Sequence, residues 1–280
     1  MNIIILSFAV LAALAALSAV VLYVVAKKFH VEEDPRIDAI NELLPGANCG
    51  GCGFPGCRGF AEAIVKKGSL EGFNCPVGGD CMQNIAPIMG VEAVAEEPKI
   101  AVVRCSGDKV KSPRTVHYEG LQNCRFASNM YTGMSGCPNG CLSLGDCVRS
   151  CKFDAIHIDE ETGLPVVTDQ CVGCGVCITA CPRGVIELRL KGKKDRRIFV
   201  SCVNKEKGAL GKKHCSVVCI GCAKCQKVCT FDAITIQNNL AYIDYTKCKL
   251  CRKCVPECPT NAIHELNFPA RKVNETMNNE

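Results

Sequence analysis

The sequence contains no tryptophan, and aromatic residues make up only 5% of its 280 residues. A chain so poor in large rings cannot fill a broad apolar core, although 48% of it is hydrophobic, and small modules with some other filling are expected. Histidine is sparse as well. His30, His117, His157, His214 and His264 are scattered, and no two stand at a convincing ligand spacing. No Gly-x-Gly-x-x-Gly turn is read as opening a helix for a dinucleotide, so nicotinamide or flavin binding is not expected here. Nor is there an acid-base or nucleophilic constellation to nominate as catalytic.

What the chain has is cysteine, 25 of them. The count is odd, which excludes complete disulfide pairing, and the spacing points to a reducing compartment. Cys171-Val-Gly-Cys174-Gly-Val-Cys177-Ile-Thr-Ala-Cys181-Pro182 is an iron-sulfur ligand run. Three thiolates on a tight loop hold three corners of a cubane, while the fourth, on the turn into a helix, points to a second cluster. Paired Cys-x-x-Cys hooks would suit zinc instead. The run returns about 77 residues on, as Cys248, Cys251, Cys254, Cys258 and Pro259.

Each repeat has a first half before it. In the second repeat Cys219, Cys222, Cys225 and Cys229 precede Phe231-Asp-Ala-Ile-Thr-Ile. In the first, Cys137, Cys141, Cys147 and Cys151 precede Phe153-Asp-Ala-Ile-His-Ile, with gaps of three, five and three residues and Lys152 in the proline position. Swapping of the fourth ligand between halves groups Cys137, Cys141, Cys147 with Cys181, and Cys171, Cys174, Cys177 with Cys151. The second repeat gives Cys219, Cys222, Cys225 with Cys258, and Cys248, Cys251, Cys254 with Cys229.

A further set stands near the N-terminus: Cys49, Cys52, Cys57 and, after a helical stretch from Gly59 to Lys67, Cys75-Pro76. Glycines around its first three cysteines let the backbone approach an inorganic core. A zinc site with the same four ligands is the alternative, which iron and sulfide analysis of residues 30 to 95 decides. Five [4Fe-4S] clusters use twenty cysteines. Of the remainder, Cys105, Cys124, Cys202 and Cys215 either hold a sixth cluster or are buried free thiols, and Cys81 is a bystander.

The formal charge of +5 counts every cysteine as neutral. Five clusters at about −2 each bring the protein to about −5, so basicity is no argument for nucleic acid. A basic run, Lys191, Lys193, Lys194, Arg196 and Arg197, continued by Lys205, Lys207, Lys212 and Lys213, is either a solvated loop or a docking surface for an acidic redox carrier.

Ile3 to Ala26 carries no charge and is long enough to cross a bilayer as one helix, with Lys27 and Lys28 immediately after it. Positive residues stay inside, which places the rest of the chain in the cytoplasm. A secretory signal is the alternative, opposed by the length of the run and the absence of a basic n-region. Short helices are expected over Val31 to Leu44 and Gly78 to Met89, and strands over Lys99 to Arg104, Val166 to Val167, Val185 to Leu190 and Ala241 to Asp244. The fold class is α+β: a single transmembrane helix, a small Fe-S domain and tandem two-cluster ferredoxin-like units. The boundaries are an anchor at 1–28, an N-terminal 4Fe-4S domain at 29–90 and a linker with extra cysteines at 91–136. They continue with unit 1 at 137–192, a basic connector at 193–218, unit 2 at 219–265 and a polar tail at 266–280.

An apolar anchor, then Leu44-Pro45-Gly-Ala-Asn-Cys49-Gly-Gly-Cys52-Gly-Phe-Pro-Gly-Cys57 with Cys75-Pro-Val-Gly-Gly, then ferredoxin repeats, closely resembles the B subunit of the Rnf complex. That complex is the ion-translocating ferredoxin:NAD oxidoreductase of bacteria, and two ferredoxin units resemble its longer form. The resemblance implies an electron-transfer subunit in the cell (inner) membrane. Reduced soluble ferredoxin would be the donor, the other Rnf subunits (A, C, D, E and G) the partners, and Na+ or H+ the ion translocated by the complex. A membrane-tethered polyferredoxin serving a hydrogenase or another reductase would use the same clusters.

Overall fold

A computed structural model describes residues 2–28, 34–92, 97–131 and 133–270. The expected helix start at 31–33, part of the expected linker and the end of the polar tail lie outside them.

Helix α1 (Asn2–Lys28) runs for 27 residues. At about 1.5 Å per residue it is about 40 Å long, more than the roughly 30 Å of bilayer hydrocarbon. Among the described residues nothing covers Ile5–Lys28, and its apolar surface is left for another medium.

The segment from Asp34 to Val91 folds around its own small core. Asp34 caps α2 (Pro35–Leu43) by accepting from the Arg36 amide, with proline at the first helical position. Helices α3 (Cys57–Lys67) and α4 (Cys81–Met89) end at Gly68 and Gly90, both left-handed, as a helix stop requires. Ile40, Phe60, Ile64 and Ile85 are buried between the three helices. Phe54, Phe60 and Phe73 stand 5.6 to 5.7 Å apart, so three of the chain's 15 aromatic rings close this one module together.

The remainder is two copies of one plan. The first contains β1 (Lys99–Val103), α5 (Cys124–Met130), α6 (Asp146–Arg149), β2 (Ile156–Ile158), β3 (Pro165–Val167), α7 (Val176–Ala180) and β4 (Ile186–Leu190). The second contains β5 (Arg197–Val200), α8 (Gly208–His214), α9 (Lys224–Lys227), β6 (Ile234–Gln237), β7 (Leu240–Ile243) and β8 (Ile263–Leu266). Every sheet has two antiparallel strands: β1 with β4, β2 with β3, β5 with β8 and β6 with β7. Left-handed backbone recurs in register, at Ser143 and Gly221, Asp154 and Asp232, Gly173 and Leu250, Gly175 and Arg252. The copies therefore share their turns as well as their cysteines.

The leading strands enlarge both units. Lys99 faces Leu190 and Arg197 faces Leu266, so each repeat is closed by a strand lying upstream of its first cysteine half. For the second repeat that strand falls inside the expected basic connector. Ile198, Phe199 and Val200 are buried in it, and Arg197 is itself buried with Asp195 3.1 Å away. Arg196 lies over the Phe268 ring. The basic run is thus no continuous solvated patch. Lys205, Lys207, Lys212 and Lys213 do remain exposed.

Arginines join the copies. Arg104, at the end of β1, donates to the Val200 and Cys202 carbonyls and to Glu187. Arg189, 2% exposed, pairs with Glu187 and lies within 5.3 Å of the Tyr242 and Tyr245 rings. A guanidinium buried among aromatic faces and carbonyls is stabilised by both.

Candidate metal centres

The short helices α6, α7 and α9 each begin at a left-handed residue, Gly145, Gly175 and Ala223, and bury one cysteine: Cys147, Cys177 and Cys225. The preceding loops curl so that amides point at sulfur. Ser143 N–H donates to Cys141 Sγ at 3.4 Å, and Gly51 N–H to Cys49 Sγ at 3.4 Å. Strands contribute too: Ala101 N–H of β1 reaches Cys171 Sγ at 3.5 Å and Ala241 N–H of β7 reaches Cys219 Sγ at 3.4 Å, while Ala262 N–H, just before β8, reaches Cys258 Sγ at 3.2 Å. At Gly173 the fit leaves no room for a side chain, since a Cβ would lie 2.3 Å from the Lys99 carbonyl oxygen. Strand β1 is packed directly on the Cys171 loop.

Four cavities of similar size are each walled by cysteines. One of about 330 Å³ is lined by Cys219, Cys222, Cys225 and Cys258, and another of about 330 Å³ by Cys229, Cys248, Cys251 and Cys254. Both groupings coincide with the expected ligand swap. A third, of about 360 Å³, is lined by Cys124, Cys141, Cys147 and Cys181. The fourth, of about 400 Å³, holds Cys105, Cys137, Cys202 and Cys215, with Cys141 at its wall. Here the structure departs from the expected sets, because Cys124 and Cys137 have exchanged places. Cys171, Cys174 and Cys151 surround Cys177, and Cys49 and Cys75 lie beside Cys52. Among the described residues no group of three or more Cys, His, Asp or Glu is placed to hold a single metal ion. Four sulfurs around a void fit a cubane, and they do not fit a bare zinc ion.

Cys124 reaches its cavity through the segment that the sequence left without a pattern. Asn123 caps α5 by accepting from Phe126 N–H at 2.8 Å, Asp146 accepts from Arg125 N–H at 3.1 Å, and Tyr118 stacks on Tyr131. These contacts seat the N-terminus of α5 beside α6. A signal for it was present: Leu144 occupies the place of the middle cysteine, Cys222, of the second repeat.

Burial dominates the thiol acidities. It pushes Cys147, Cys202 and Cys225 up to about 11, and Cys177 and Cys254 up to about 12, with neighbouring thiols adding to the rise. Cys141 is raised by the same causes. Such sites are stable with protons on sulfur or with a cationic core among the thiolates, and are costly as bare anions. Cys75 differs, being brought down to about 6 chiefly by a hydrogen bond from buried Cys81.

The sets follow one another without a gap. A Cβ on Gly51 would lie 2.6 Å from the Cys174 carbonyl oxygen, and Lys152 Nζ donates to the Asn48 carbonyl at 2.7 Å, so the N-terminal set abuts the Cys171 loop. Cys147 neighbours Cys177, Cys141 N–H donates to Cys105 Sγ at 3.5 Å, Cys202 accepts from the Cys219 amide, and Cys225 neighbours Cys254.

Gly51-Cys-Gly53-Phe-Pro-Gly56 does spell Gly-x-Gly-x-x-Gly before α3, contrary to the sequence reading. Among the described residues no strand precedes it, and its glycines flank Cys52, so it belongs to the cysteine loop and not to a dinucleotide site.

Comparison with known proteins identifies iron-sulfur modules in the chain. Residues 44–77 match a family model described as "Putative Fe-S cluster", 137–188 a "4Fe-4S dicluster domain" and 241–264 a "4Fe-4S binding domain". The chain is 43% identical over 86% of its length to the B subunit of the Na(+)-translocating ferredoxin:NAD(+) oxidoreductase complex of Acetobacterium woodii, covering 72% of that protein. It is 41% identical, over 92% of its length and 96% of the relative, to the B subunit of the ion-translocating oxidoreductase complex of Methanosarcina acetivorans. Against the B subunit of the proton-translocating ferredoxin:NAD(+) oxidoreductase complex of Clostridium ljungdahlii it is 40% identical over 95% of its length and 94% of the relative. With such identity over nearly its whole length, the chain belongs to the family of B subunits of the Rnf-type ion-translocating oxidoreductases.

Proposed function

We propose that this chain is the electron relay of a membrane-bound ferredoxin:NAD oxidoreductase, taking low-potential electrons from reduced ferredoxin and passing them toward membrane and flavin subunits. The unbroken succession of cysteine sets from 49–75 to 229–254 is the observation that carries the reading. [4Fe-4S] clusters held by these thiolates supply one-electron chemistry. The chain's own part is to space the sites, to shield them, and to aim amides at the sulfurs, which sets potential.

The relay has two unlike ends. Beyond the N-terminal set lies α1, which we read as a single membrane span with Lys27 and Lys28 on the cytoplasmic side and all cysteine sets with them. Such a tether raises the concentration of the N-terminal set beside its membrane partners. At the other end Cys222 and Cys251 are exposed, and exposed Lys224, Lys227, Lys247, Lys249 and Lys253 lie within five residues of one or the other in sequence, a pattern that suits an acidic donor. Electrons then enter at the second repeat and leave beside the membrane. Among the described residues one helix is apolar and long enough to cross a bilayer; in this reading ion movement and the reduction of NAD belong to the other Rnf subunits.

The test is an anaerobic preparation of the full chain in detergent. It should contain iron and acid-labile sulfide in equal amounts, show coupled [4Fe-4S] EPR signals on reduction, and be reduced by reduced ferredoxin without reducing NAD by itself. Stoichiometric zinc with no reducible iron would overturn the proposal.

A further inference from the structure

We propose that Cys105, Cys137, Cys202 and Cys215 hold a [4Fe-4S] cluster bridging the two repeats, and that Cys124 completes the neighbouring set of Cys141, Cys147 and Cys181. The inference rests on the reading of the chain as a cluster relay and adds a centre, its ligands and its place.

The site is a joint product of both repeats. At an offset of 78 residues Cys137 corresponds to Cys215, Cys141 to Cys219, Cys147 to Cys225 and Cys151 to Cys229. The same offset sets Leu144 against Cys222, so the first repeat lacks the middle cysteine of its run. Cys105 and Cys202 each stand two residues after a leading strand, β1 or β5. Each repeat thus sends one thiol from its leading strand and one from just before its first cysteine loop. Cys137 has the address of a bridging ligand, and Cys124 stands in for the missing corner.

The environment is that of the other cluster sites. Cys137, Cys202 and Cys215 are 8 to 9% exposed, and their cavity of about 400 Å³ compares with 330 to 360 Å³ at the three ferredoxin sites. Each sulfur accepts from the amide two residues on: Cys105 from Gly107, Cys137 from Asn139, Cys202 from Asn204 and Cys215 from Val217. Cys141 and Cys174 receive the same bond from Ser143 and Val176. Buried free thiols have no need of inward-turned amides around a void, whereas cluster sulfurs do.

The position gives the site its role. Cys105 accepts from the amide of Cys141, a ligand on one side, and Cys202 accepts from the amide of Cys219, the corresponding ligand on the other. The bridge is therefore one hydrogen bond from the nearest set in each repeat, and without it the relay is interrupted at its middle.

Iron counting on the full chain, loaded anaerobically, tests the proposal. Six sites give about 24 irons and five give about 20. The Cys137→Ala/Cys202→Ala pair removes ligands of one cluster and should lose about 4 irons, whereas Cys124→Ala/Cys202→Ala touches two and should lose about 8. A wild-type count near 20, or the reverse order of losses, overturns the inference while leaving the relay standing; absence of reducible iron overturns both. Single serine variants, which retain an oxygen ligand, guard against misfolding of the alanine pairs. Cys137→Ser and Cys202→Ser should shift one and the same EPR signal, and Cys124→Ser a different one; a shared signal for Cys124→Ser and Cys202→Ser refutes the exchange.

Discussion

His264 looked like one of five scattered histidines, yet it stands against the bridging site. Its Nε2 is 2.9 Å from Ser106 Oγ, which lies 2.6 Å from Ser201 Oγ, and the ring tilts against Phe199. The charged groups facing it are Lys111, bound to Asp108, and Arg197. Burial first, and the charge of Lys111 second, hold its pKa below the ordinary 6.5. The neutral ring is the native form. Stability from His264 is complete above about 6.5 and is lost as pH falls toward the depressed native pKa, because the unfolded chain takes up the proton first. His264→Gln keeps a hydrogen-bonding group without the titration. Relative to this variant, the wild type should release its iron in urea progressively faster as pH drops below about 6.5, and the two should keep a constant ratio above it. A ratio independent of pH across that range would refute the role.

Elements were legible in the sequence where their residues repeat and obscure where tertiary contacts decide. The strands at 99–103, 186–190 and 240–243 and the helices at 57–67 and 81–89 lie within about three residues of where pattern placed them, at 99–104, 185–190, 241–244, 59–67 and 78–89. Strand β5 was hidden because its first residue, Arg197, reads as the end of a basic run, although the strand buries it. Helix α5 has only seven residues and is placed by Asp146 and by stacked tyrosines, none of which is local sequence information. The exchange of Cys124 and Cys137 was legible in principle, but only by aligning the first halves at 78 residues instead of matching their irregular gaps to a standard run. Arg104 is the element-scale joint. It makes three hydrogen bonds, two of them across the boundary between repeats to the Val200 and Cys202 carbonyls. Arg104→Met should cost about 2–3 kcal/mol and lower the urea midpoint for bleaching of the centre between the repeats before that of the N-terminal set. Unchanged midpoints would mean that the repeats are held by the Arg189 and tyrosine contacts alone.

At the scale of the whole molecule, the proposed entry of electrons at the second repeat is open to test through charge. Five clusters at about −2 each would make the loaded chain acidic, and the exposed lysines that flank Cys222 and Cys251 in sequence would then be a local surface able to attract an acidic carrier. Attraction of this kind acts over the Debye length, about 30 Å at 0.01 M salt and about 3 Å at 1 M. The second-order rate of reduction by soluble ferredoxin should therefore fall by at least about tenfold across that range. Neutralising Lys249 and Lys253 with glutamine should lower the rate at low salt and flatten its salt dependence, because both lie beside the set nearest the end of the relay. The same changes at Lys205 and Lys212, near the bridge, should leave the rate within about twofold. Were the two pairs to behave in the opposite way, the donor would enter at the middle of the relay, and the second repeat would be a branch leading elsewhere and not the first segment of the path to the membrane.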